Sequence, residues 1–137
     1  MKKAIRILAL TLVTVMLCLT LASCGGPNAD PDKALEALKD NGISWAAKDN
    51  IIVPAALKLA GVDGVDCVVS GTGKIDDKFA HITVIYFDEA ADATEAMDAV
   101  EEYASGDKKN AEESDWVFKK SGKMIYYGTK DAVKAAK

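Results

Sequence analysis

An uncharged apolar run near the amino terminus limits how much of this chain can fold as a water-exposed domain. Lys2, Lys3 and Arg6 precede the run, and residues 7–21 contain no charged side chain. A basic segment followed by an apolar run and small residues is typical of a secretory signal peptide. We therefore predict a signal peptide at residues 1–23, which leaves 114 of the 137 residues for the mature protein.

The apolar run ends at a tetrapeptide with a cysteine in its last position, Leu21-Ala22-Ser23-Cys24. A leucine three positions before a cysteine, with small residues between them, resembles the lipobox of bacterial lipoprotein precursors. The resemblance implies cleavage between Ser23 and Cys24, lipidation of the Cys24 sulfur with diacylglycerol, and acylation of the new amino terminus, for example by palmitate. The alternative is an uncleaved membrane helix, because residues 7–24 reach the lower limit of ~18 residues for a span.

The same resemblance implies a location and a first partner. The mature protein would be lipid-anchored on the extracytoplasmic side of the cell membrane, or in the outer membrane of a two-membrane envelope. Its partner would be the bilayer, through acylated Cys24, since two acyl chains suffice for stable anchoring. Residues 24–30 have linker composition and are predicted to form a lipidated tether. Six extended residues reach roughly 20 Å, so a single domain at residues 31–137 would stay near the membrane.

The charge of the mature part argues against a nucleic-acid partner. The predicted leader holds three of the 17 basic residues and none of the 21 acidic ones, so the remainder has a formal net charge of −7. Nucleic-acid-binding proteins place a basic excess against phosphate. The charge is also uneven, because residues 88–115 contain eleven acids and two lysines, whereas residues 117–137 contain six lysines and one acid. Solvated faces explain both runs; the alternative is that the lysines face anionic headgroups, at about 1 kcal/mol each.

Capping residues and periodicity predict four helices and four strands. Asp30 as N-cap, Pro31 at the first helical position and Gly42 at the end bracket the first helix. The predicted helices are residues 31–41, 51–60, 89–104 and a short one capped by Thr129. The predicted strands are residues 65–70, 79–87, 116–118 and 124–127, with a turn region at 71–73 and a hairpin turn at 121–122.

These elements predict an α+β domain of two layers, a four-stranded antiparallel sheet with helices on one face. Residues 86–93 and 126–133 share a pattern in which a strand ends and a helix begins, which indicates possible tandem ββα units. A ferredoxin-like arrangement is the structural alternative.

Catalytic and metal-binding motifs are not found in the sequence. Residues 71–74 lack the earlier glycine and the following Ser or Thr that a phosphate loop requires. One histidine and one further mature cysteine cannot supply a His/Cys zinc set. That cysteine, Cys67, lies in a β-branched run and is predicted to be a small buried core residue. We therefore predict no enzyme activity, no catalytic residue, no metal and no cofactor.

The strand that contains His81 predicts a possible binding surface. Alternation places Ala80, Ile82, Val84 and Tyr86 on one face and His81 and Thr83 on the other. We expect the first face to pack against helices, and His81, Thr83 and Lys119 to project from an open face that binds an envelope protein, a peptide, a glycan or a second copy of the chain. The oligomeric state is not predicted.

The predicted function is a membrane-anchored extracytoplasmic lipoprotein with a non-catalytic interaction or ligand-contact domain. One alternative is a small tethered envelope enzyme that uses His81 with a nucleophile or carboxylate partner. Another is an accessory solute-binding lipoprotein, although two lobes around a cleft usually need more than 114 residues.

Overall fold

A computed structural model describes residues 26–109, 111–112 and 115–137. The predicted signal peptide, the cleavage site between Ser23 and Cys24, and the lipidation site at Cys24 lie outside the described residues. In chain order the elements are α1 (Pro31–Asp40), β1 (Trp45–Asp49), α2 (Ile52–Leu59), β2 (Val65–Ile75), β3 (Lys78–Phe87), α3 (Ala90–Lys108), β4 (Trp116–Ser121), β5 (Met124–Thr129) and α4 (Lys130–Ala135).

The strands form one antiparallel sheet in the order β1-β2-β3-β5-β4. The α+β class and the antiparallel sheet are confirmed, whereas the predicted count of four strands is wrong because the sheet has five. The strand missing from the prediction is β1, which lies at the edge and pairs with β2. Its sequence, WAAKD, has one aromatic residue, but Ala, Lys and Asp are depleted in strands, so composition gives little signal for a strand.

The glycines that were predicted to form a turn lie inside β2 instead. A Cβ on Gly71 would lie 3.0 Å from Ile43 Cγ2, and one on Gly73 would lie 2.8 Å from Ser44 Oγ. Glycine is therefore required because another chain segment passes close to this strand. The turn itself follows at Asp76 and Asp77, whose φ angles are 51° and 64°. Aspartate is one of the few residues that enter this left-handed region readily.

Helices cover both faces of the sheet, so the prediction of helices on one face is wrong. We call the face that packs against α1 and α4 the first face, and the face that packs against α2 and α3 the second face. From β3, the first face receives Ala80, Ile82, Val84 and Tyr86, and the second receives Ile85 and Phe87. The fold therefore has three layers. Both predicted arrangements, the tandem ββα units and the ferredoxin-like alternative, have two layers with helices on one face. The unbroken apolar run at residues 84–87 is what a strand buried on both faces requires.

Two predicted helix caps have different outcomes. The Asp30 carboxylate accepts hydrogen bonds from the backbone N–H groups of Asp32 and Lys33, at 2.9 and 3.4 Å, as expected for an N-cap. Thr129 occupies the N-cap position of α4, but its hydroxyl makes no capping hydrogen bond. Instead Thr129 Oγ1 accepts from the backbone N–H of His81 at 3.2 Å, which ties the end of β5 to β3.

Residues 26–30, which belong to the predicted tether, contact the domain through residues 26–28. We call them the strap. Gly26 and Pro27 are buried, the Asn28 N–H donates to Ala136 O at 2.8 Å, and the Tyr86 hydroxyl donates to Asn28 O at 2.7 Å. A Cβ on Gly26 would lie 2.9 Å from the Tyr126 hydroxyl oxygen. Gly26, two residues after Cys24, is therefore part of the fold.

Candidate functional site

Four polar side chains meet between the second face and the end of α3. His81 Nδ1 lies 3.1 Å from Thr72 Oγ1, and His81 Nε2 lies 3.3 Å from Thr83 Oγ1. Asp107, near the end of α3, places Oδ2 at 3.6 Å from His81 Nε2. Thr72 and His81 meet because they lie directly opposite each other in the β2–β3 register. We call Thr72, His81, Thr83 and Asp107 the His81 cluster.

Aromatic side chains surround the imidazole. Phe79 stacks parallel to His81, with 6.3 Å between ring centroids, and the centroid of Tyr127 lies 6.5 Å from that of His81. The Tyr127 hydroxyl is buried and completes no hydrogen bond with the described residues. Burial raises the pKa of Tyr127, so its hydroxyl stays protonated. It is thus a neutral hydroxyl close to Thr83 and Asp107 of the cluster.

The open surface predicted from His81, Thr83 and Lys119 is not assembled. Thr83 is only 6% exposed and the His81 side chain 16%, because α3 covers this part of the second face. Lys119 is exposed but lies opposite Tyr126, whereas Thr83 lies opposite Tyr127. Neighbouring residues of a strand point to opposite faces. Lys119 therefore belongs to the first face and does not join the other two.

The predicted helix ended at residue 104, because Gly106 and the polar residues at 105–109 are typical of a loop, so Asp107 was not placed on the helix. The structure instead continues α3 to Lys108. The buried positions of α3 are Ala93, Ala96, Val100 and Ala104. Position 107 continues that spacing of three and four residues, so helical periodicity was the signal that could have placed Asp107 on the face toward the sheet.

The order hydroxyl, imidazole, carboxylate in Thr72, His81 and Asp107 is one that nucleophilic enzymes use. In this fold both imidazole nitrogens have partners within the protein, Nδ1 at Thr72 and Nε2 at Thr83 and Asp107. A catalytic histidine is also paired between a hydroxyl and a carboxylate, so this pairing does not by itself assign a role. The contacts link β2 and β3 to the end of α3.

The described residues offer neither a reactive cysteine nor a metal site. Cys67 is 5% exposed, which confirms the prediction of a buried core residue. Burial raises the pKa of its thiol to about 11, so the reactive thiolate is scarce at neutral pH. Within residues 26–109, 111–112 and 115–137, no three His, Cys, Asp or Glu side chains are grouped to hold a metal ion.

His81 is the only histidine, so its titration can be followed as one imidazole signal by NMR. Burial lowers its pKa below the ordinary value of 6.5, and the nearby Asp107 carboxylate partly offsets that effect. Asp107→Asn should therefore lower the pKa further, while Asp98→Asn on the exposed side of α3 should leave it unchanged. A His81 pKa above 6.5, or one that Asp107→Asn raises, would contradict this assignment.

The same shift sets the direction of a pH effect on stability. Because the folded-state pKa of His81 is lowered, the unfolded chain takes up the proton first as the pH falls. The contribution of His81 to stability is therefore complete above pH 6.5 and is lost as the pH falls towards its folded-state pKa. Denaturation of wild type and His81→Gln between pH 7.5 and about 5 should show the smaller pH dependence in the variant.

Comparison of the chain with protein-family models, with curated proteins and with solved structures finds no match. Among the helices of the described part, none combines the length and apolar character needed to cross a bilayer.

Proposed function

We propose that this chain is a bacterial lipoprotein precursor whose mature domain is held on the extracytoplasmic side of a membrane by acyl chains on Cys24. The observation that carries the proposal is the order of a basic segment, an uncharged apolar run and Leu21-Ala22-Ser23-Cys24. Gly26, two residues after Cys24, packs against Tyr126, so the folded domain lies close to the proposed lipid-bearing residue.

We further propose that the domain is a non-catalytic interaction or ligand-contact module. His81 contacts Thr72, Thr83 and Asp107 and so connects β2 and β3 to the end of α3, which supports a positioning role for this residue. An accessory solute-binding role receives less support, because both cores lie on opposite faces of one sheet and not in two lobes around a cleft.

An exposed aromatic group beside the His81 cluster is the best-supported contact surface for a peptide or glycan partner. Trp45 is 58% exposed, Phe79 40% and Tyr103 42%. Trp45 lies opposite Thr72, so it points from the second face, as His81 does. Tyr103 precedes Asp107 by one helical turn. Exposed aromatic side chains rimmed by polar groups are typical of recognition surfaces.

Labelling with radioactive palmitate in a lipoprotein-producing bacterium tests the anchoring proposal. The wild-type chain should incorporate the label, and Cys24→Ser should lose it and accumulate at the size of the precursor. Cys18→Ser, within the predicted leader, and Cys67→Ser, within the core, are matched controls that should retain the label. Label that survives Cys24→Ser, or a wild-type protein that takes up none, would overturn the proposal.

A further inference from the structure

We infer that the corner of the domain formed by the β4–β5 hairpin and the end of α4 is the surface that meets the bilayer, where its lysines contact anionic lipid headgroups. The inference rests on the proposed acylation of Cys24. It adds an orientation and a lipid preference that acylation alone does not specify.

The strap fixes the place at which the lipid would emerge. Gly26 packs against Tyr126, and Asn28 is held by hydrogen bonds to Ala136 and Tyr86. Two residues of extended chain span at most ~7 Å, so the Cys24 backbone cannot lie farther than that from Gly26. A free six-residue tether would have allowed almost any orientation, whereas this short connection allows few.

The strap and the hairpin share a groove, which identifies the part of the surface next to Gly26. The groove has a volume of about 580 Å³. Its lining includes Gly26 and Pro27 of the strap, Lys123 of the hairpin turn and Lys137. The point of attachment and the hairpin turn are therefore on the same corner, and a bilayer that holds Cys24 must lie against it.

The charge of this corner suits an anionic surface. The hairpin, residues 116–129, contains three lysines and no acid. Lys123 and Lys137 line the groove. Lys134 lies in the last turn of α4. Ala136, the residue after α4, accepts a hydrogen bond from the Asn28 N–H of the strap. Lysines near an anionic leaflet contribute about 1 kcal/mol each, which is roughly a fivefold change in occupancy.

Acidic residues define the limits of this surface. Gly64 O accepts from the N–H of Asp88, so the acidic residues Asp63, Asp66, Asp88 and Glu89 lie by the β2 and β3 side of the same end of the sheet. The helix α3, on the second face, carries six acids and one lysine. The Lys123 carbonyl accepts from the N–H of Phe87, so Asp88 and Glu89 border the lysines directly, and the proposed bilayer contact is centred on the β4 side of the corner.

Lysine accessibility in vesicles tests the inference with the full acylated protein. The protein is reconstituted in phosphatidylcholine vesicles with or without phosphatidylglycerol and treated with a water-soluble amine reagent, and modification is read by mass spectrometry. Lys123 and Lys137 should react about fivefold more slowly with phosphatidylglycerol present. Lys74 and Lys78, exposed on the β2–β3 hairpin at the opposite end of the sheet, are matched controls that should not change.

Charge reversal separates headgroup contact from simple proximity. The readout is the slower modification of Lys119 and Lys134 when phosphatidylglycerol is present. The double variant Lys123→Glu, Lys137→Glu should abolish this effect of phosphatidylglycerol. The control double variant Lys74→Glu, Lys78→Glu should preserve it. Equal protection of both hairpins, or protection of Lys74 and Lys78 alone, would overturn the inference while leaving acylation intact. The intact mass of the same sample reports acylation separately, so a missing acyl mass would reject the anchoring proposal instead.

Discussion

Replacing Gly128 with alanine is expected to lower the free energy of unfolding by about 3–5 kcal/mol, from backbone strain and overpacking combined. Gly128 has a φ of 149°, a conformation that residues with a side chain rarely adopt. Its Cβ would overlap His81 O and would lie 2.8 Å from Ile82 Cα. Both obstacles are backbone atoms of the neighbouring central strand, so neither can move aside without disrupting the sheet.

Chemical denaturation followed by tryptophan fluorescence measures this loss. Gly106→Ala is the matched control, because Gly106 lies in α3 with nothing within 4 Å of its added Cβ. That variant should be unchanged or more stable by up to about 1 kcal/mol, since alanine favours a helix over glycine. Equal stability of the two variants would show that β3 and β5 do not pair as described.

Ile82→Ala and Ile85→Ala should each cost about 2–5 kcal/mol, because each deletes buried methylene groups and leaves a cavity. Both side chains are 0% exposed, although they belong to opposite faces of the sheet. The pair therefore tests the arrangement of helices on both faces. Had helices covered only one face, one of the two changes would cost little.

The control for these core variants is Ile52→Ala, since Ile52 is 75% exposed in α2. This change should stay within about 0.5 kcal/mol of the wild type. A small loss for Ile85→Ala, comparable to that of the Ile52 control, would mean that α2 and α3 do not cover the second face in solution.

The elements with strong local signals were predicted from the sequence. The first helix has Asp30 and Pro31 at its start, and its predicted range, 31–41, agrees with the observed Pro31–Asp40. The strand at 79–87 is rich in β-branched and aromatic residues and is confirmed as Lys78–Phe87. Local capping and propensity decide such segments, so tertiary contacts did not override them.

The features that the sequence did not predict depend on contacts between distant residues. β1 is a strand because β2 offers it a partner, not because of its own composition. The second face was predicted to be open because helices were expected on the other face alone, yet His81 and Thr83 contact each other beneath α3. Asp107 reaches His81 only after α3 has packed, so the cluster has no local signature. The strap behaves similarly, since Gly26 and Pro27 have linker composition but find a buried place on the first face.

Mass spectrometry of the amino-terminal peptide of the protein extracted from its own membranes tests lipid anchoring most directly. If Cys24 is the anchor, the peptide begins at Cys24 and carries the mass of a diacylglyceryl group. A peptide that begins at an unmodified Cys24 and comes from the culture fluid, or one that still contains residues 1–23, would contradict lipid anchoring.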